Sequence, residues 1–199
     1  RIDYEALQYF TEFWASDNTD PIQRLFIQYG YSFFYPAKSM SAHVTTWNKN
    51  ASIKFRTDVA MMGKLGFDIK LSDMSGDDLT YCQGAVKNYM EGALYRLVSP
   101  YDGTRSHAAN QFVSKDKNKA VVFAFDVYPG YGEKILPVRL EGLDAGKQYR
   151  VKEINLMPNQ GSSLEGNDRV FSGDYLMKVG LNLLTGNKLY SRVVEITAE

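Results

Sequence analysis

The chain has 199 residues, 44% of them hydrophobic, and its 23 lysines and arginines balance 23 aspartates and glutamates. That length holds one large domain or two small ones around a real core, while zero formal net charge offers no field for nucleic acid or an anionic membrane surface. No apolar run nears the roughly 20 residues of a membrane span, no secretory leader is visible, and the start at Arg1 reads as a fragment or processed product, which leaves the compartment open.

The first element in chain order is a short strand over Phe10 to Trp14, followed by Trp14-Ala15-Ser16-Asp17-Asn18-Thr19-Asp20-Pro21. Pro21 pre-sets the first turn of a helix, and Asp20 or Thr19 can cap its unpaired amides. Ile22, Leu25, Phe26 and Tyr29 then recur at helical spacing up to Gly30. Tyr31 to Tyr35 reads as a compact aromatic strand ended by Pro36, with His43 in the loop beyond it. A second helix carries Phe55, Val59 and Met62 on one face and closes at Gly66. Phe67 to Leu71 alternates as a strand should. Ser75 with Asp78 three residues later marks a helix start, and Leu79, Cys82, Val86, Met90, Ala93 and Leu97 form one apolar stripe. Gly84 and Gly92 fall inside that stretch, where close packing would explain them.

Three consecutive strand–helix units predict parallel strands. Three strands cannot close a barrel, so they form a small open sheet or part of a larger (β/α)₈ barrel. After Ser99-Pro100-Tyr101-Asp102-Gly103 the pattern changes to strands and turns. Strands are expected at Gln111–Lys115, Lys119–Val127, Lys134–Leu140, Gln148–Ile154, Arg169–Ser172, Tyr175–Leu184 and Lys188–Ile196, with turn signals between them. That spacing reads as an antiparallel β-sandwich. The expected division is therefore 1–98 and 99–199.

Cys82 is the single cysteine, so no internal disulfide forms, and no Cys/His cluster has zinc spacing. No metal or other cofactor is expected. Fourteen tyrosines, eleven phenylalanines and two tryptophans suit a sugar-handling protein and a dense core equally. Asp17 is the candidate for chemistry. Just past a strand, beside Trp14, a carboxyl held by an apolar wall can donate a proton; the alternative is a loop aspartate making a turn hydrogen bond. Asp20 reads as a helix cap. A calcium loop over Asp17 to Asp20 fails because Pro21 and the helix leave no room for twelve-residue ligand spacing. His43 can line a pocket or serve structure, His107 reads as surface, and Cys82 reads as packing.

Several segments together resemble glycoside hydrolase family 36. Arg1-Ile2-Asp3, Trp14 to Pro21 and Arg24 to Gly30 resemble its sixth strand–helix unit. Tyr35-Pro36 with Met40 to Val44 is similar to its seventh, and Arg56 with Val59 to Gly66 to the helix after it. Tyr95-Arg96-Leu97 with Ser99-Pro100 resembles the barrel exit, and Gly173 to Met177 with Gly180-Leu181 a late strand pair of the C-terminal sandwich. The resemblance implies the last three strand–helix units of a (β/α)₈ TIM barrel followed by that sandwich. It also implies an enzyme of the retaining α-galactosidase type, acting on terminal α-galactosides such as raffinose or melibiose.

By the same resemblance Asp17 is the general acid/base, with Trp14, Ser16 and Asn18 near the sugar. Retention needs a second carboxylate about 5–5.5 Å away. In the family it lies in a Lys-Trp-Asp type motif on the fourth strand, and this chain has no such motif, so alone it should be inactive. Tyr4-Glu5-Ala6-Leu7 replaces the Pro-Gly-Met-Leu-like run of many members, a subgroup difference. The rival reading is a non-catalytic structural or carbohydrate-binding module. A partial barrel exposes strand edges and an apolar face, which predicts a homo-oligomer.

Overall fold

The computed structural model describes residues 3–88 and 92–199. Two sheets organise them. The first is parallel, with order β1 (Phe13–Trp14), β2 (Met40–Thr45), β3 (Lys64–Asp68), and it alternates with three helices, α1 (Pro21–Tyr31), α2 (Ile53–Ala60) and α3 (Gly76–Lys87). The caps follow sequence chemistry: Asp20 Oδ1 accepts from the amides of Ile22 and Gln23, Ser52 from Phe55, and Ser75 from Asp78.

The second strand is not where aromatic content placed it. Tyr31 to Tyr35 finishes α1 and turns, with Tyr35 N donating to Tyr31 O, while Phe13 packs on Tyr35 at 4.7 Å between ring centroids. The strand is instead Met40–Thr45, the expected loop. Its Met40, Ala42 and Val44 are buried, whereas Ser41 and His43 on the other face are half-buried, the period-2 pattern of a one-sided strand. Likewise Gly66 does not end a helix but lies within β3, opposite His43.

The third helix stops at Lys87, and Met90 lies outside the described residues. Ala93–Val98, expected as its last turns, is β4, the edge strand of the second sheet. Gly92 owes its identity to that sheet, because a Cβ there would meet Val113 O at 2.6 Å; one at Gly84 would meet nothing within 4 Å, so close packing does not explain Gly84.

The second sheet is antiparallel, with order β4, β5 (His107–Val113), β6 (Lys119–Asp126), β9 (Tyr190–Ala198), β7 (Gln148–Ile154), β8 (Arg169–Ser172). Both faces of β6 are buried. Val121, Phe123 and Phe125 join α2 and α3 in one core, and Ala120, Val122 and Ala124 join a second. Phe55 of α2 meets Phe125 edge-on at 5.6 Å; fully burying such a ring contributes about 1.5–3 kcal/mol.

Among the described residues the expected second sheet of a sandwich is missing. Its place is taken by an irregular layer carrying Val138, Leu140, Leu164, Leu181 and Leu183, with one isolated bridge, Val138 to Leu181. Tyr175–Leu184 is not a strand because Ser172 caps a helix, α4 (Gly173–Lys178), and Gly180 follows at φ +87° against the Val138 carbonyl. Arg192 fastens this layer to the sheet: its Nε donates to Glu153 Oε1 of the neighbouring strand at 3.0 Å in a buried ion pair, and its other nitrogens reach Leu183 O and Ser163 Oγ in the layer.

Candidate active site

Parallel strands send all their C-terminal ends to one edge, and that edge gathers the polar residues. The loop after β1 is shaped by its own side chains. Ser16 Oγ accepts from Asn18 N at 3.1 Å, and Asn18 Oδ1 accepts from Asp20 N at 2.9 Å, successive Asx- and ST-type turns. The loop after β2 clasps it, with Asn50 Nδ2 donating to Asp20 Oδ2 at 2.7 Å and Asn48 Nδ2 to Thr19 Oγ1.

Asp17 stands at the exposed crest of this loop. The Trp14 indole N–H donates to Asp17 Oδ1 at 2.8 Å, and among the described residues the carboxylate forms no ion pair. Trp14, half exposed, stacks on His43 with centroids 4.4 Å apart and planes 24° from parallel. A tryptophan laid flat on β2 thus aims its donor at one carboxylate oxygen. Trp14, expected beside Asp17 as an apolar wall, meets the exposed carboxylate through its polar indole N–H.

Arg24 holds the platform from below. Only 2% exposed, it donates from Nη1 to Ser16 O at 2.8 Å and from Nη2 to Ser41 O at 3.0 Å, tying the end of β1 to β2. Burial, then the charge of Arg24, pull the His43 imidazole below its ordinary value, outweighing Asp68 and Asp17. His43 is therefore a neutral ring at neutral pH. At the opposite edge Glu12 accepts from Lys64 Nζ at 2.9 Å and Ser41 Oγ at 3.0 Å, a clasp across the three strands.

The structure brings Trp14, at the end of β1, together with Ser16, Asp17 and Asn18 of the loop that follows. Ser16 and Asn18 each spend one oxygen on the backbone, which leaves the hydroxyl hydrogen and the amide NH₂ as their donors. His43 is the stacking partner of Trp14, a role visible in sequence only as the Met40-Ser41-Ala42-His43-Val44 alternation. Arg24 had no signal beyond being a cation on the apolar side of a helix. His107 is not a surface residue: its ring is mostly covered and meets Asp126 at 2.7 Å and Glu133 at 3.4 Å. No group of His, Cys, Asp and Glu among the described residues could hold a metal ion, and no helix there is long and apolar enough to cross a membrane.

Residues 1–96 match the Melibiase family model, and residues 107–196 match that of the glycosyl hydrolase family 36 C-terminal domain. The chain belongs to glycoside hydrolase family 36. Its family 36 relatives include alpha-galactosidase AgaA of Geobacillus stearothermophilus, 33% identical over 92% of this chain and 25% of the relative. Alpha-galactosidase 2 of Hypocrea jecorina is 33% identical over 98% of this chain and 26% of its own length. The family 36 enzyme AgaB of Geobacillus stearothermophilus superposes with a TM-score of 0.82 at 31% identity, over 98% of this chain and 26% of that one. A variant of AgaA in complex with raffinose does so with 0.81 at 30% identity, over 98% and 27%. The chain thus spans about a quarter of the length of the curated relatives it matches.

Proposed function

We propose that this chain is the C-terminal part of a retaining α-galactosidase-type glycoside hydrolase that cleaves terminal α-galactosides of the raffinose and melibiose kind. Asp17 is its general acid/base. The observation that carries this is the exposed Asp17 carboxylate at a strand C-terminal edge, oriented by the Trp14 indole and paired with no cation among the described residues. In (β/α)₈ enzymes that edge is where chemistry sits. Support for the substrate class comes from relatives named alpha-galactosidase and from the AgaA variant solved with raffinose.

In this reading residues 1–98 contribute the last three strand–helix units of a barrel and 99–199 the C-terminal β-domain. Asp17 protonates the departing glycosidic oxygen, then takes a proton from the water that releases the sugar. Trp14 presents its ring to the sugar's C–H groups, while Ser16 and Asn18 donate to hydroxyls. The nucleophile lies in the parent chain outside these residues, so the 199-residue piece alone turns nothing over. Its unpaired strand edges drive it into dimers or larger assemblies.

The test is Asp17→Asn in the full-length parent. Raffinose hydrolysis should fall by about 10²–10⁴-fold, while an aryl galactoside with a good leaving group keeps part of its first-step rate, because it needs no proton to depart. Unimpaired raffinose turnover would remove Asp17 from the mechanism.

A further inference from the structure

A small cavity lies between α1, α2 and β2, with room of about 10 Å³ and with Arg24, Gln28, His43 and Arg56 in its lining. That is about the volume one water molecule needs, too little for a sugar or a polyatomic anion. Each of these four residues carries one buried polar atom that finds no hydrogen-bond partner among the described residues: Arg24 Nε, Gln28 Oε1, His43 Nδ1 and Arg56 Nε. Buried polar groups are normally satisfied, so four orphans around one cavity ask for a common partner.

Their chemistry defines it. Both arginine Nε atoms are obligatory donors. Gln28 Nε2 donates to Val59 O at 2.6 Å, which fixes the amide orientation and leaves Oε1 as an acceptor. A neutral His43 offers either a lone pair or a hydrogen at Nδ1. Two donors, one acceptor and one adjustable nitrogen match the two lone pairs and two hydrogens of a single water. A halide would answer the two guanidinium charges. It would also face the Gln28 carbonyl oxygen, and the arginines already give hydrogens to the carbonyls of Ser16, Ser41 and Thr45.

We propose that this cavity binds one structural water, which accepts from Arg24 Nε–H and Arg56 Nε–H and donates to Gln28 Oε1 and His43 Nδ1. The water fixes His43 as the Nε2–H tautomer and locks the ring that supports Trp14. His43 is then a positioning residue for Asp17, acting through the Trp14 stack and the indole hydrogen bond. Burial and the Arg24 charge, which keep the imidazole neutral, agree with this arrangement.

A crystal structure of the full-length protein at about 1.2 Å resolution, with and without a bromide soak, tests it. One spherical peak should lie about 2.7–3.2 Å from all four atoms, with no anomalous signal after bromide. In histidine-selective ¹⁵N spectra, with His43 assigned from a His43→Gln variant, Nδ1 should resonate as an unprotonated nitrogen and Nε2 as a protonated one. A bromide peak, a cavity closed by protein groups, or a protonated Nδ1 would each overturn it. None of these readouts depends on turnover, so the water site stands or falls separately from the hydrolase assignment.

Discussion

Two aspartates in opposite surroundings show what makes a carboxylate available for chemistry. Asp17 is exposed and receives one hydrogen bond from an indole. Asp58, on α2, is fully buried and accepts from four donors: Lys54 Nζ at 2.6 Å, Tyr81 OH at 2.5 Å, Ser191 Oγ at 2.7 Å and Asn155 Nδ2 at 3.2 Å. Lys54 belongs to α2, Tyr81 to α3, and the other two donors to the antiparallel sheet and its following loop. Asp58 therefore joins the parallel unit to the sheet, with no lone pair left for a substrate. Its charge also acts on its neighbours: burial first, then Asp58, push the Tyr81 phenol well above its ordinary value, so Tyr81 remains a hydrogen donor.

The contrast can be broken at either end. Asp58→Ala strands a buried ammonium and three further donors, and should cost about 3–5 kcal/mol, read as a large drop in the urea midpoint of the full-length protein. Tyr81→Phe keeps the ring and removes one charge-assisted hydrogen bond; about 1.5–3 kcal/mol should be lost. If that variant unfolds with the wild type, the Asp58 junction is not held as described. The smallest expected effect is that of Asp17→Asn, within about 0.5 kcal/mol of wild type in the same unfolding experiment. A large destabilisation there would make Asp17 a structural residue and remove the contrast.

Much of the fold was legible, and unevenly so. The caps at Asp20 and Ser75 could be read because a short polar side chain before an apolar periodic run has few other uses. Strand β8 matched its expected span, Arg169–Ser172. The second parallel strand was missed because one of its faces carries Ser41, His43 and Thr45, and polar residues in alternation resemble a loop until their apolar partners are counted. Ala93–Val98 was read as helix because the stripe of α3 runs into it in phase, and only pairing with β5 makes it a strand. The Tyr175–Leu184 segment failed for the converse reason. Apolar alternation there serves an irregular layer whose helix and left-handed glycine are set by tertiary contacts.

At the site, the loop from Trp14 to Pro21 was identifiable as a unit, but not its wiring. Nothing in the spacing of Trp14 and Asp17 dictates that the indole reaches the carboxylate, since that requires the ring to lie on His43, a residue 29 positions further on. Arg24 and Gln28 read as ordinary helix residues because their partners are backbone carbonyls, which leave no trace in sequence.

The Asp58 junction also bears on how the chain is made. Ser191, one of its donors, follows it by 133 residues. At a ribosomal rate of about 5–20 residues per second, the carboxylate waits on the order of ten seconds for that hydroxyl. The apolar core that Phe55 and Val59 of the same helix share with Phe125 likewise stays incomplete until Val193 of β9 arrives. The packing of α2 against the antiparallel sheet is therefore completed only once β9 has been made.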